Sequence, residues 1–131
     1  MIRFLSFLAL IISSFLAKEV SGQLRPLSSN ARVSLLTCGP GNDLYSIFGH
    51  TAIRIKDDAQ NVDVAFNYGT FAFSDDFYFQ FTMGKLNYRL AAESYDRFVA
   101  NYQYEKRWVR EQVLNLDSNQ KQLAFEFLIN N

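Results

Sequence analysis

Two residue types able to carry proton or acyl chemistry occur once each in this chain, His50 and Cys38. A neutral imidazole can serve as a general base near physiological pH, and a thiol becomes a nucleophile once deprotonated. Between them lies the segment Gly39–Gly49, which begins Gly39-Pro40-Gly41-Asn42. Gly39 and Gly41 are candidates to present backbone N–H groups to an oxyanion or a phosphate, although such a run more often makes only a tight turn. One histidine and one cysteine supply neither a zinc-type ligand set nor an internal disulfide, so no metal and no cofactor is expected.

A third candidate, Asn67, comes from strand register. His50–Lys56 (HTAIRIK) and Val62–Tyr68 (VDVAFNY) alternate polar and apolar residues, and the polar run Asp57–Asn61 between them predicts a hairpin. Ile53 and Ile55 must share a face with Val62, Val64 and Phe66, since a one-residue slip would expose them all. Pairing Ile55 with Val62, Ile53 with Val64 and Thr51 with Phe66 sets Arg54 opposite Asp63, and His50 opposite Asn67, on the other face. The Asn67 amide oxygen could then accept from one ring nitrogen and leave the other free as a base. The plainer alternative is a surface histidine that merely bonds its neighbour. Tyr45 and Tyr68 could line a cleft near His50, or serve as packing residues with a hydrogen-bonded tip. Cys38 is open to three roles: buried and inert, paired between chains, or reactive at the end of a strand. A structural or pocket-wall role is the preferred one.

The elements that must position these residues alternate along the chain. Val33–Thr37 predicts a strand that Gly39-Pro40-Gly41 ends, Asn42 caps a short helix over Asp43–Phe48, and Gly49 stops it. Ser74 caps a helix through Phe77–Phe81, and Leu86–Leu90 predicts a further strand. Ser94 caps a helix through Tyr104 with Tyr95, Phe98, Val99 and Tyr102 on one face. Arg107–Leu116 reads as a strand, and Ser118 caps a last helix with Leu123, Phe127 and Leu128 inward. Asp75-Asp76 reads as a cap-proximal pair, and Glu105-Lys106-Arg107 as a solvated charge run. Together these predict an α+β domain, an antiparallel sheet with helices packed on one side.

Composition narrows the function. The chain is 49% apolar and 20% charged, which excludes disorder, and 13 basic residues against 13 acidic leave no surplus for nucleic acid. At the start, Arg3 precedes the apolar run Phe4–Ala17, too short for the ~20 residues of a membrane span. Val20 and Gly22 suit cleavage before Gln23, so residues 1–22 read as a signal peptide, 23–32 as a polar leader and 33–131 as the domain, in an exported, periplasmic protein.

LTCGPGNDLYSIFGHTAIRI (Leu36–Ile55), FNYGTF (Phe66–Phe71) and FTMGKLNYRL (Phe81–Leu90) resemble the Lnb-type N-terminal periplasmic domain of Bacteroidota. That family is similar to permuted papain-like, NlpC-type thiol enzymes, in which a histidine opens an early strand and the nucleophilic cysteine lies later, on a helix. The resemblance implies a permuted papain-like half-domain, thiol chemistry on an acyl group, N-acylation of lipoproteins, and a lipoprotein or phospholipid substrate at the membrane surface. His50 matches the family histidine in the segment Gly49-His50-Thr51. The resemblance also implies a continuation past the last helix into a tyrosine-rich stretch, an Asn-Cys motif and membrane helices. On that reading the chain supplies the histidine of an exported acyltransferase and is inactive alone. The alternatives are a non-catalytic periplasmic domain that binds lipid or peptide, and an NlpC-type amidase or peptidase.

Overall fold

A computed structural model describes residues 25–70 and 74–131. The expected signal peptide and its cleavage point therefore lie outside the described residues. Five strands form one antiparallel sheet: β1 (Arg32–Cys38), β2 (His50–Asp57), β3 (Val62–Thr70), β4 (Arg89–Ser94) and β5 (Val109–Val113), in the order β4-β3-β2-β1-β5. Three helices accompany them: α1 (Phe77–Thr82), α2 (Tyr95–Tyr104) and α3 (Ser118–Asn130). The α+β class and the antiparallel sheet are as expected from sequence.

The distribution of helices differs from the expectation. α2 packs Phe98 and Tyr102 over Leu36, Cys38, Ala52 and Ala65 on one face of the sheet. α3 packs Phe125 and Leu128 over Val33, Ile55 and Phe66 on the other. The central strands are apolar on both sides, with small alanines beneath α2 and branched or aromatic residues beneath α3, so each face requires its own cover.

The hairpin register is also two residues away from the expected one. Ile55 pairs with Val64, Ile53 with Phe66, and Ala52 with Asn67. Asp57 and Val62 close the ladder over a 3-10 turn, Asp58–Gln60, and Asn61 turns the chain in the left-handed region at φ 55. An even shift preserves which face each side chain occupies. The expected partners consequently meet along diagonals: Arg54 lies opposite Ala65, yet its guanidinium reaches Asp63 through Nε and Nη2 at 2.7 and 2.6 Å. Glu111 accepts from Arg54 Nη1 at 2.9 Å, and the Tyr95 ring lies 3.4 Å from the guanidinium carbon.

Several local boundaries moved. Residues 43–48 form successive turns instead of a helix, and β4 begins at Arg89, later than the expected strand at Leu86. Asp117 caps α3, with Gln120 completing a reciprocal capping box, in place of Ser118. Leu128 and Phe125 face the sheet, while Leu123 and Phe127 stand outward, because the run LAFEFLI is apolar around most of the helix and its period does not select one face. The polar leader is docked. Leu27 N–H donates to Gln122 Oε1 at 2.8 Å, and Ser28 donates its N–H and hydroxyl to the Asp57 carboxylate at 2.7 Å each. Those two bonds, the backbone one foremost, hold the Asp57 carboxyl below its usual range.

Candidate functional site

The site is built where β1 ends and β2 begins. Gly39 N–H donates to the Trp108 carbonyl at 2.8 Å, and a Cβ at Gly39 would lie 2.6 Å from the Trp108 indole. Gly41 N–H donates to the Ser46 carbonyl at 2.9 Å. The Gly39 amide is thus paired to the residue before β5 and the Gly41 amide within the turn. Gly49 then returns the chain at φ 76, with its Cα facing the Cys38 carbonyl so closely that a Cβ would sit 2.6 Å from that oxygen. Only glycine fits, and it delivers His50 to the first position of β2.

His50 Nε2 and Asn67 Oδ1 are hydrogen-bonded across β2 and β3. A carboxamide oxygen only accepts, so in this pairing Nε2 is the donor and Nδ1 is the ring nitrogen left outside the bond. Gly69, beside the ring, is held at φ 94, a conformation that favours glycine, although a Cβ there would make only ordinary contact, 3.6 Å from His50 Cε1. The pair borders a cleft of about 710 Å³, walled largely by Tyr45, Tyr68, Tyr88, Tyr102 and Phe81. Tyr45 donates to Asp43 at 3.1 Å and meets Phe77 edge-on at 5.8 Å. Burial first, and then the Asp43 carboxylate, raise its hydroxyl above the ordinary tyrosine value. The Tyr68 hydroxyl accepts from the Asn131 amide.

Cys38 lies directly across from His50 in the β1–β2 ladder, so Cys38, His50 and Asn67 cross three strands on the α2 side. The thiol is nonetheless 2% exposed and does not border the cleft, because α2 covers it. Burial pushes its pKa up, against a weaker pull from the Tyr102 hydrogen bond and the Arg107 charge. A thiol held neutral under a helix has the wrong electrostatics for attack.

Arg107 was not visible as a site residue in the sequence, where it belonged to an apparently solvated charge run. Its side chain is only 8% exposed and borders the cleft. Nε donates to the Gly39 carbonyl at 2.8 Å, Nη1 pairs with Glu105 at 2.7 Å, and the guanidinium carbon lies 4.6 Å from the Tyr102 ring centre. The end of α2 causes this. Lys106 adopts φ 56, Lys106 N–H bonds the Gln103 carbonyl, and Arg107 N–H bonds the Tyr102 carbonyl. That is the double closure of a left-handed helix stop, and it folds Arg107 back against the helix. A glycine at position 106 would have signalled it, but this chain has lysine there.

Among the described residues, no group of three or more His, Cys, Asp or Glu could hold a metal ion, and no helix is long and apolar enough to cross a membrane. The family model described as the Lnb N-terminal periplasmic domain matches residues 25–130. The chain belongs to that family. The match to the Lnb N-terminal periplasmic domain takes in the docked leader and all three helices, so the family unit begins ahead of β1. No curated protein and no solved structure matches the chain.

Proposed function

We propose that this Lnb-type domain contributes the general base of a thiol-dependent acyl transfer in the periplasm, with His50 as the base and Asn67 as the residue that orients it. The observation that carries the reading is the Nε2–Oδ1 bond beside an aromatic cleft. With Nε2 committed to Asn67, Nδ1 is the nitrogen that takes a proton from an attacking thiol and returns it to the leaving group. The tyrosine and phenylalanine walls suit an acyl chain, and their hydroxyls suit its polar head. On this reading the domain is the histidine-bearing half of a permuted papain-like fold, and lipoproteins or phospholipids are the substrate class. The attacking thiol is assigned to a group outside this chain, since Cys38 is sealed under α2.

The test supplies that thiol. The protein is incubated with a nitrophenyl acyl ester and a small soluble thiol, and the acyl thioester formed is measured. His50→Ala is expected to lower transfer by about 100-fold, in the usual range for loss of a general base. Cys38→Ala is expected to leave it unchanged. Equal rates for wild type and His50→Ala would remove the proposal. The burial of Cys38 favours a second reading, a non-catalytic periplasmic domain that binds lipid or peptide. That reading requires saturable acyl-chain binding, insensitive to His50→Ala, and no transfer at all.

A further inference from the structure

Arg54 and Arg107 both hold their guanidinium largely out of water, but the chain treats them differently. Arg54 is closed: Nε and Nη2 donate to Asp63 and Nη1 donates to Glu111, so every nitrogen has an acceptor. Arg107 is left open. Its Nε is taken by the Gly39 carbonyl and its Nη1 by Glu105, whereas Nη2 has no hydrogen-bond partner among the described residues. No buried side-chain nitrogen or oxygen among those residues goes without a partner. Nη2 is therefore the part of this 8%-exposed side chain that reaches the cleft it borders. The head is fixed in that position. Gly39 pins Nε, the guanidinium lies over the Tyr102 ring, and the stem runs beside Gly41, where a Cβ would stand 3.4 Å from Arg107 Cδ. The counter-charge is the yielding partner: the Glu105 side chain is 52% exposed, and a pair with one such member holds weakly.

We infer that Arg107 is the anion-binding residue of the cleft, its Nη2 donating to a singly charged oxyanion, a carboxylate or a phosphodiester, on the molecule that the cleft takes. A cation withdrawn from water attracts an opposite charge more strongly than a surface one, and a charge-assisted bond is among the stronger hydrogen bonds. A donor already held by three contacts also gives up little freedom when a ligand arrives. Charge sets the valence. Arg107 and Glu105 nearly balance, so one further negative charge is accepted beside Nη2 and a second is repelled by Glu105. The aromatic walls receive the rest of the ligand, which therefore has an apolar body and a single anionic group. The inference rests on the cleft being the binding site of the proposed function and adds its selection by charge. It does not require His50 to act as a base.

Probes of one shape and different charge test it. Benzoate, methyl phenyl phosphate and neutral benzamide are titrated separately into the full chain at constant ionic strength, and binding is followed by the backbone amide resonances of His50 and Gly69, which border the cleft. The expected result is that at least one anion binds about tenfold tighter than benzamide, the worth of one hydrogen bond to a charged group, and the preferred anion names the group. Arg107→Gln is expected to remove that preference while benzamide binds as before, which a merely structural loss would not allow. Glu105→Gln takes away the competing carboxylate and leaves the Gly39 brace in place, so it is expected to tighten the anions by about two- to fivefold. That arm decides the matter even where Arg107→Gln does not fold. Anions that bind no better than benzamide, a preference that survives Arg107→Gln, or anion affinity unmoved by Glu105→Gln overturns the inference. So does a preference that His50→Ala removes, which would place the charge on the imidazolium. No probe carries an ester, so failure of acyl transfer and failure of anion binding are separate results.

Discussion

Replacing Gly49 by alanine tests how the turn delivers His50. The substitution places a methyl group in a residue at φ 76, where a side chain costs about 1–2 kcal/mol. It also puts that carbon 2.6 Å from the Cys38 carbonyl oxygen, a backbone atom with no rotamer to yield. Overpacking of this kind adds about 1–3 kcal/mol, and the reduced entropy of the unfolded chain returns about 0.4–1 kcal/mol. The expected net loss is about 2–3 kcal/mol in urea-induced unfolding. Gly84→Ala is the matched control: Gly84 also has a positive φ, 64, but a Cβ there meets nothing within 4 Å. It should lose only the conformational part, about 1 kcal/mol. The Cys38–His50 pairing must also spread in the Gly49 variant, so the His50 ring resonances should move away from those of the Asn67-bonded state. A loss below about 0.5 kcal/mol, or a loss equal to that of Gly84→Ala with unmoved ring resonances, would refute the reasoning.

Two further outcomes follow from charged groups. Asp57 and Asp63 both have carboxyls held below the usual range, so their contributions are whole above the ordinary value of about 3.9 and are lost as pH falls through the lower folded-state values. Denaturant midpoints should therefore drop in acid, and Asp57→Asn should lower stability at neutral pH by about 1–3 kcal/mol while flattening that acid limb. Arg54→Ala should cost about 2–3 kcal/mol by calorimetry, because it strands Asp63 and Glu111 and uncovers the Tyr95 ring, with the partners' partial exposure keeping the loss below that of a fully buried pair.

The β2–β3 hairpin was legible because alternation fixes faces, and two side-chain pairs, Arg54 with Asp63 and His50 with Asn67, survived a register error. The error arose from the turn: Asp57 caps a 3-10 turn while remaining in the ladder, which a polar run does not reveal. Residues 43–48 looked helical because Asn42 and Asp43 are good starters, but Ser46 draws four local hydrogen bonds that close turns instead. Arg107 was illegible because its placement depends on a left-handed lysine, and the inward face of α3 because nearly every side of that segment is apolar. The burial of Cys38 was the expected one of its three roles, but the helix responsible, α2, was placed from sequence without a face of the sheet to cover.

The seal over Cys38 has a kinetic consequence. As the chain's single thiol, it can be reached by an alkylating reagent only when α2 lifts from the sheet. Where closing outruns modification, the ratio of the observed labelling rate to that of a free thiol equals the equilibrium constant for that opening. Since Tyr102 and Arg107 also border the cleft, the same number measures the population in which one wall of the cleft stands away. A cysteine for which sequence left three roles open is therefore, once sealed, a gauge of how firmly its own site stays closed.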